Sequence, residues 1–372
     1  MDKKFKILAL ASWYPNDTDP QLGIFIKHQL KAISQIHNID LITLRPAPNK
    51  RQETIIENGI THQKHYYVTN QYPIKKLSWY VAWMEIINKI PKDKYDFIHL
   101  HVIYPMGIIA LKVKSQLNIP LITSEHWSGY HSNFEYSGIL RKRFTKKTIQ
   151  LSSAVVVQSK FLQKLMEEQK LKANYKIVPN IVDFKLASTN SIIQEKCVIM
   201  NIADHIDSDK NISGILRAFA QSLQSNPHLK LIQIGSGPDQ LKLHLLSKEL
   251  GISDHVIWRG RLPNKEVLKE IQTCDFGIIN SNRETFCISA FEFLASEKPI
   301  IITKCGGPEE YLPNIFGVEI LTQNDSQLTT ALLEMATNYK SYNLKESASA
   351  IRNQFSNESF LESINKIYNS VV

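Results

Sequence analysis

The chain has 372 residues, 43% of them hydrophobic, and a formal net charge of +9. That length and apolar content suffice for two domains, each with its own core, and exclude a disordered chain. The charge is uneven: 26 Lys and Arg against 14 Asp and Glu give +12 for residues 1–183, while 18 against 21 give −3 for residues 184–372, so the first half is expected to meet an anionic partner, nucleic acid or a membrane surface.

The first eleven residues are basic and then apolar, but Trp13-Tyr14-Pro15 ends the run well short of a signal segment. No apolar stretch approaches the roughly 20 residues needed to cross a bilayer. A cytoplasmic location is expected, peripheral at the inner face of the cytoplasmic membrane if the basic half binds lipid. Cys197, Cys274, Cys287 and Cys305 show no C-x-x-C pairing, and neither a disulfide nor a metal role is expected of them.

In chain order, residues 6–12 predict a first strand, and residues 23–33 a helix led by Gly23, a possible anion site. Residues 39–44 read as the second strand and 59–69 as an irregular or strand-containing connection. Residues 95–101 form a further strand ending in His99-Leu100-His101. A helix near 106–117 precedes a strand over 120–124, which stops at Glu125-His126-Trp127. Two segments carry much of the positive charge. Residues 141–147 are a concentrated basic run, and residues 74–84 mix lysines with aromatics; each reads either as a solvated helix face over core aromatics or as a surface resting on anionic headgroups. Residues 154–159 read as a buried strand with Ser159 as the N-cap of the next helix.

The polar run Ser188-Thr189-Asn190-Ser191 marks a boundary near residue 184. Strand 197–202 then leads through 203–211 into a helix over 212–222. Strand 229–234 ends in Gly235-Ser236-Gly237-Pro238, and strand 256–261 carries Arg259. Residues 276–279, 288–296 and 299–303 predict a strand, a short helix and a strand. Two carboxylates, Glu284 in the intervening loop and Glu292 two turns later, therefore sit near the C-terminal edge of a parallel sheet, where open α/β folds bind ligands. Gly306-Gly307 permits close backbone approach, and a helix begun by Pro308-Glu309-Glu310 would aim its N-terminus at the same crevice. Carboxylates for sugar hydroxyls and helix N-termini for phosphate suggest a nucleotide-sugar site.

Glu284-x7-Glu292 followed by Gly306-Gly307 resembles the donor-site signature of the family 4 retaining glycosyltransferases. Trp13-Tyr14-Pro15-Asn16 with Gly23 and Phe25, the strand ending at His101, and Pro179-Asn180-Ile181-Val182-Asp183 are similar to other stretches of that family, which covers nearly the whole chain. The resemblance implies a GT-B architecture: two doubly wound, Rossmann-like domains facing across a cleft, over 1–183 and 184–354, with 355–372 crossing back to the first. It implies transfer of a sugar from a nucleoside-diphosphate-sugar to a glycan or lipid-linked acceptor, with retention, in surface polysaccharide or lipopolysaccharide assembly.

By the same resemblance the implied catalytic residues are His126, Lys210 and Glu284. Gly23, His205, Gly235, Arg259, Arg283, Thr285, Phe286, Cys287, Ile288, Glu292, Gly306 and Gly307 would contact the donor. Glu292 would take the ribose, and Lys210 the diphosphate without a metal or other cofactor. The chain departs from the family in three places: His205 stands where an arginine is usual, Thr285 and Cys287 where glycines are frequent, and Ile181 in place of a glycine. A nucleotide-sugar epimerase of the same fold is the alternative reading. A basic nucleic-acid-binding protein is a remote one, because the sequence carries no recognised nucleic-acid motif and no nucleic-acid partner is expected.

Overall fold

A computed structural model describes residues 3–69, 75–131, 138–186, 196–312, 317–321 and 325–372. The chain divides into two units, Met1–Ile181 with Asn357–Val372, and Val182–Ser356.

The first unit runs β1 (Lys6–Ala11), α1 (Ile24–Ile33), β2 (Asn38–Pro46), β3 (Arg51–Glu57), β4 (Ile60–Tyr67), α2 (Lys75–Ile87), β5 (Phe97–His101), α3 (Gly107–Leu117), β6 (Leu121–Glu125), α4 (Ile139–Leu151), β7 (Ala154–Val157), α5 (Lys160–Glu168) and β8 (Tyr175–Ile177). Its sheet has the order β3-β4-β2-β1-β5-β6-β7-β8 and is parallel except for the β3–β4 hairpin. Central strands such as β5 and β6 are buried along their whole length. Helices covering both faces of a parallel sheet require that, and the sequence supplies near-continuous apolar runs there. Strand β3, Arg51-Gln52-Glu53-Thr54-Ile55-Ile56-Glu57, is an exposed edge; its polar composition gives no alternation to read, so the sequence showed only its partner segment.

The second unit runs β9 (Cys197–Ile202), α6 (Asp207–Lys210), α7 (Ile212–Ser225), β10 (Leu229–Ile234), α8 (Gln240–Glu249), β11 (Val256–Gly260), α9 (Asn264–Thr273), β12 (Phe276–Ile279), α10 (Ile288–Ala295), β13 (Ile300–Thr303), β14 (Val318–Leu321), α11 (Asp325–Asn338) and α12 (Lys345–Gln354). Its sheet order, β11-β10-β9-β12-β13-β14, is parallel throughout. The strand order reverses between β9 and β12. Loops leaving the C-terminal ends of those two neighbours border the place where such sheets bind ligands.

The last helix, α13 (Asn357–Val371), belongs to the first unit. Phe360, Ile364, Ile367 and Tyr368 form its buried stripe at helical spacing. The Tyr368 hydroxyl meets His99 Nδ1 at 2.8 Å, and the other His99 nitrogen meets Ser124 Oγ at 2.8 Å. His99 is thus held between strand and helix as a structural group.

Two expectations change here. The residues after Gly306-Gly307 form a single 3-10 turn, Pro308–Glu310, instead of a helix, so no helix N-terminus follows the glycine pair. In the 74–84 run, Trp83 is buried in the core beside Ile86 and Ile87 and so cannot rest on lipid, with the partly buried Trp79 packed against that core. Ile74 and Ser188–Ser191 lie outside the described residues. Among the described residues no helix is long and apolar enough to cross a membrane.

Candidate functional site

In the second unit the chain leaves β9 through residues 203–206, makes the single turn of α6, and enters α7 at Asn211. Asn211 takes a left-handed φ of 46°, and its side chain accepts from the Gly214 N–H. This loop is anchored to the one leaving β12: the Asn282 N–H donates to the Asp209 carbonyl at 2.7 Å and its side chain to the Ser208 carbonyl at 2.9 Å. Asn280 Nδ2 reaches the Asn211 carbonyl at 3.1 Å. The two loops therefore present one surface.

On it, Lys210 Nζ lies 2.6 Å from Glu284 Oε1. Ser281 Oγ donates to the same oxygen at 2.8 Å. Lys210 ends the α6 turn, just before the cap of α7, with its side chain 23% exposed. Burial pulls the ammonium pKa down, but the Glu284 carboxylate outweighs that and holds it above its ordinary value.

A third loop completes the surface. The Glu284 N–H donates to the Cys305 carbonyl and the Gly307 N–H to the Glu284 carbonyl, at 2.8 and 2.9 Å. A β-carbon on Gly307 would stand 2.0 Å from the Thr285 carbonyl oxygen, so only glycine permits this approach. Glu309 Oε1 accepts from the N–H groups of Gly306, at 2.8 Å, and Cys305. The glycine loop is thus capped by its own carboxylate, a role the sequence reading missed.

Cys287 caps α10 in the left-handed region, φ 64°. A cysteine there costs about 1–2 kcal/mol that glycine would not, which gives the departure noted at this position a structural meaning. Burial pushes its thiol up to about 12. Phe286 is 1% exposed and packs with Phe291, Tyr311 and Phe355; its side chain belongs to the core, leaving only its backbone for a ligand. Ile288 packs against the same cluster. Arg283 and Thr285 flank Glu284 on the loop.

Glu292, on α10, is 4% exposed, and Asn264 Nδ2 donates to its Oε1 at 2.7 Å. Asn264 opens α9 after Pro263, and nothing in its local sequence marks this contact. Burial raises the Glu292 carboxyl to about 7 despite the Asn264 hydrogen bond. Because the folded value lies above the unfolded one, 4.5, folding favours the protonated form. The contribution to stability is complete below pH 4.5 and lost as pH rises through 7, where the cost reaches about 3 kcal/mol. Glu292→Gln keeps an oxygen for Asn264 without that charge. We expect it to raise unfolding free energy by about 2–3 kcal/mol at pH 8 and to flatten the pH dependence between 4.5 and 7; an equal or lower stability at pH 8 in urea denaturation contradicts this.

His205 is buried, with Trp258 at a ring distance of 5.5 Å and no partner on either ring nitrogen. Burial, with His244 nearby, holds the imidazole below its ordinary pKa, so the imidazolium expected beside a diphosphate is not the form this protein favours by itself. Gly235 donates its N–H to the Gly260 carbonyl at 2.8 Å. Arg259 stands apart, exposed at the end of β11, with Nε 3.2 Å from Glu270 Oε2.

In the first unit, Gly23 caps α1 with φ 63°. The ring of Phe25, two residues on, lies 4.6 Å from that of His126 at the end of β6. Burial lowers the His126 pKa to about 3, and neither of its ring nitrogens has a hydrogen-bond partner among the described residues. The structure thus brings Gly23 and His126 together in one unit, and Lys210, Glu284, Gly306 and Gly307 together in the other.

A family model described as Glycosyl transferases group 1 matches residues 183–353, and one described as Glycosyltransferase Family 4 matches residues 25–186. The alpha-monoglucosyldiacylglycerol synthase of Streptococcus pneumoniae is 25% identical over 64% of this chain, which spans 58% of that relative's length. The uncharacterized glycosyltransferase MJ1178 of Methanocaldococcus jannaschii is 22% identical over 98% of this chain and 97% of its own. Among solved structures, sucrose-phosphate synthase from Thermosynechococcus elongatus superposes with a TM-score of 0.80 at 15% identity, covering 98% of both chains. Anabaena HepE in complex with UDP and glucose gives 0.78 at 15% identity, over 98% of this chain and 100% of that one.

Proposed function

The chain belongs to the family 4, group 1 glycosyltransferases, and from that premise we propose that it moves a sugar from a nucleoside-diphosphate-sugar to an acceptor hydroxyl with retained anomeric configuration. Its fold is that of the GT-B glycosyltransferases. The observation that carries the reading is the Lys210–Glu284 pair, held at the point where the strand order of the second unit reverses.

A departing diphosphate needs its growing charge neutralised, and a preorganised cation at a largely water-excluded position does this without reorganisation. Lys210 is that cation, and no metal or other cofactor is part of the scheme. Glu284 accepts hydroxyls of the donor sugar, and Glu292, steadied by Asn264, accepts those of the ribose. The C1–phosphate oxygen bond breaks as the bond from C1 to the acceptor oxygen forms on the same face. The acceptor proton passes to the departing phosphate oxygen. To Gly23 and His126, in the acceptor-side unit, we assign the donor contacts that the family resemblance implies.

Solved relatives carry UDP or UDP-glucose, and curated ones include a glycolipid synthase and the lipopolysaccharide 1,2-N-acetylglucosaminetransferase of Salmonella typhimurium. They support a nucleotide-sugar donor and a lipid-linked or glycan acceptor in surface polysaccharide or lipopolysaccharide assembly. A thermal-shift screen of UDP-, GDP- and ADP-sugars tests the donor. One of them at 100 times its dissociation constant should stabilise by about 2.7 kcal/mol, and no shift with any would contradict the reading.

The basic run lies on α4, whose first turn exposes Ile139 (84%) and Leu140 (70%) ahead of exposed Arg143, Lys146 and Lys147. Apolar residues beside cations suit an anionic membrane surface, at about 1 kcal/mol per cation, and support a peripheral position at the inner face of the cytoplasmic membrane. Co-sedimentation with phosphatidylglycerol vesicles should fall with salt and with Lys146→Glu/Lys147→Glu; binding indifferent to both would rule the contact out.

A further inference from the structure

A cavity of about 350 Å³ lies wholly within the first unit. It is walled by the loop after β1, by α1, and by the outer ends of β2 and β4. None of the residues assigned to the donor lines it.

Its polar groups are unbalanced. Lys27 is paired with Glu57 at 2.7 Å. Arg45 and Lys64, which also line the cavity, meet no carboxylate within ion-pair distance among the described residues, and Lys64 acts on Glu57 only at longer range. The other lining acid, Asp17, is exposed. Arg45 is half-buried and spends one N–H on the Tyr14 carbonyl, at 2.8 Å. A guanidinium has five such donors in a fork that fits phosphate or carboxylate oxygens in pairs. Burial holds its pKa below the ordinary value, the sign of a charge with no partner to offset lost hydration. Beside it, His62 is buried against Tyr14 and shares a 2.8 Å hydrogen bond with Thr43 Oγ1. Burial lowers the His62 pKa to about 4, so that pair adds no charge and the lining carries three cations against two carboxylates.

We propose that this cavity is an anion subsite, in which Arg45 and Lys64 grip a phosphate or carboxylate group of the acceptor. The assignment to the acceptor rests on the reading of the chain as a glycosyltransferase with its acceptor on the first unit; the anion preference rests on the cavity alone. The volume exceeds that of a single oxyanion, leaving room for the small polar body that carries it.

The probe is inorganic phosphate, titrated at constant ionic strength into ¹⁵N-labelled protein. Saturable shifts are expected at the amides of Thr18 and Lys64, unchanged by saturating UDP. Arg45→Gln and Lys64→Gln should each weaken phosphate at least about tenfold, a loss of roughly 1.4 kcal/mol, while leaving UDP affinity within twofold. Lys64→Gln is the safer variant, because Arg45 also holds the Tyr14 loop. Absence of saturable shifts, phosphate binding in both variants equal to that of the wild type, or displacement by UDP would overturn the subsite. In transfer assays phosphate should compete with the acceptor and not with the donor; non-competitive inhibition would overturn the acceptor assignment. Absence of UDP binding to the wild type would instead count against the donor reading, which keeps the two failures apart.

Discussion

Lys210→Ala is expected to slow sugar transfer by about 10²–10³-fold, the usual size when one preorganised group facing the developing charge is removed. The structure also predicts a cost the sequence did not suggest. Lys210 is no free surface lysine: its ammonium is 2.6 Å from Glu284, with side chains 23% and 12% exposed. Truncating it leaves a mostly buried carboxylate supported only by Ser281, among the contacts described. The pair lies between the surface case, worth 0–1 kcal/mol, and the fully buried case of about 3–5, so a loss of about 1–2 kcal/mol in unfolding free energy is expected. The activity loss should far exceed what that destabilisation explains. Initial rates measured well below the melting transition check this, and near-wild-type turnover would mean the diphosphate is held elsewhere.

Glu284→Gln should separate the two partners. The amide keeps an acceptor for Ser281 but releases Lys210 from its counter-charge. Affinity for the bare nucleoside diphosphate should rise several-fold, since the freed ammonium meets phosphate without competition. Transfer should fall by about 10²-fold, because the acceptor of the donor sugar's hydroxyls has lost its charge. Lys210→Ala and Glu284→Gln are thus predicted to move diphosphate affinity in opposite directions while both lower turnover. Calorimetric titration of UDP into the two variants reads this directly; a parallel loss of affinity would show that the pair only braces the loops.

The legible parts of the chain were those that local pattern determines. The strand at Phe276–Ile279, the helix from Ile288 and the strand to Thr303 could be read because a parallel sheet buried on both faces leaves continuous apolar runs with turn residues between them. Glu284 and Glu292 could be placed near the carboxyl edge of the sheet for the same reason. What could not be read depends on side chains meeting across distant segments. Lys210 lies 74 residues from Glu284, and Asn264 lies 28 from Glu292. The single turn after Pro308 escaped because proline followed by two glutamates starts a helix as readily as a turn. That the Phe286 ring turns into the core was not legible either, because two of the aromatics that hold it there, Tyr311 and Phe355, are distant in sequence. The cysteine at position 287 is the converse case: the departure was visible in sequence, and its left-handed backbone only in the structure.

The most direct test of a nucleotide-sugar site at this sheet edge is calorimetric titration of the donor's nucleotide into wild type and Glu292→Gln at pH 6 and pH 8. In the free protein the Glu292 carboxyl titrates near 7, while ribose hydroxyls bind best to the carboxylate. Wild-type affinity should therefore be stronger at pH 8 than at pH 6. The variant should bind about tenfold more weakly at pH 8, where a charge-assisted contact has become a neutral one, and should lose that part of the pH dependence. Equal affinity and equal pH profiles in the two proteins, with the fold intact, would contradict the account.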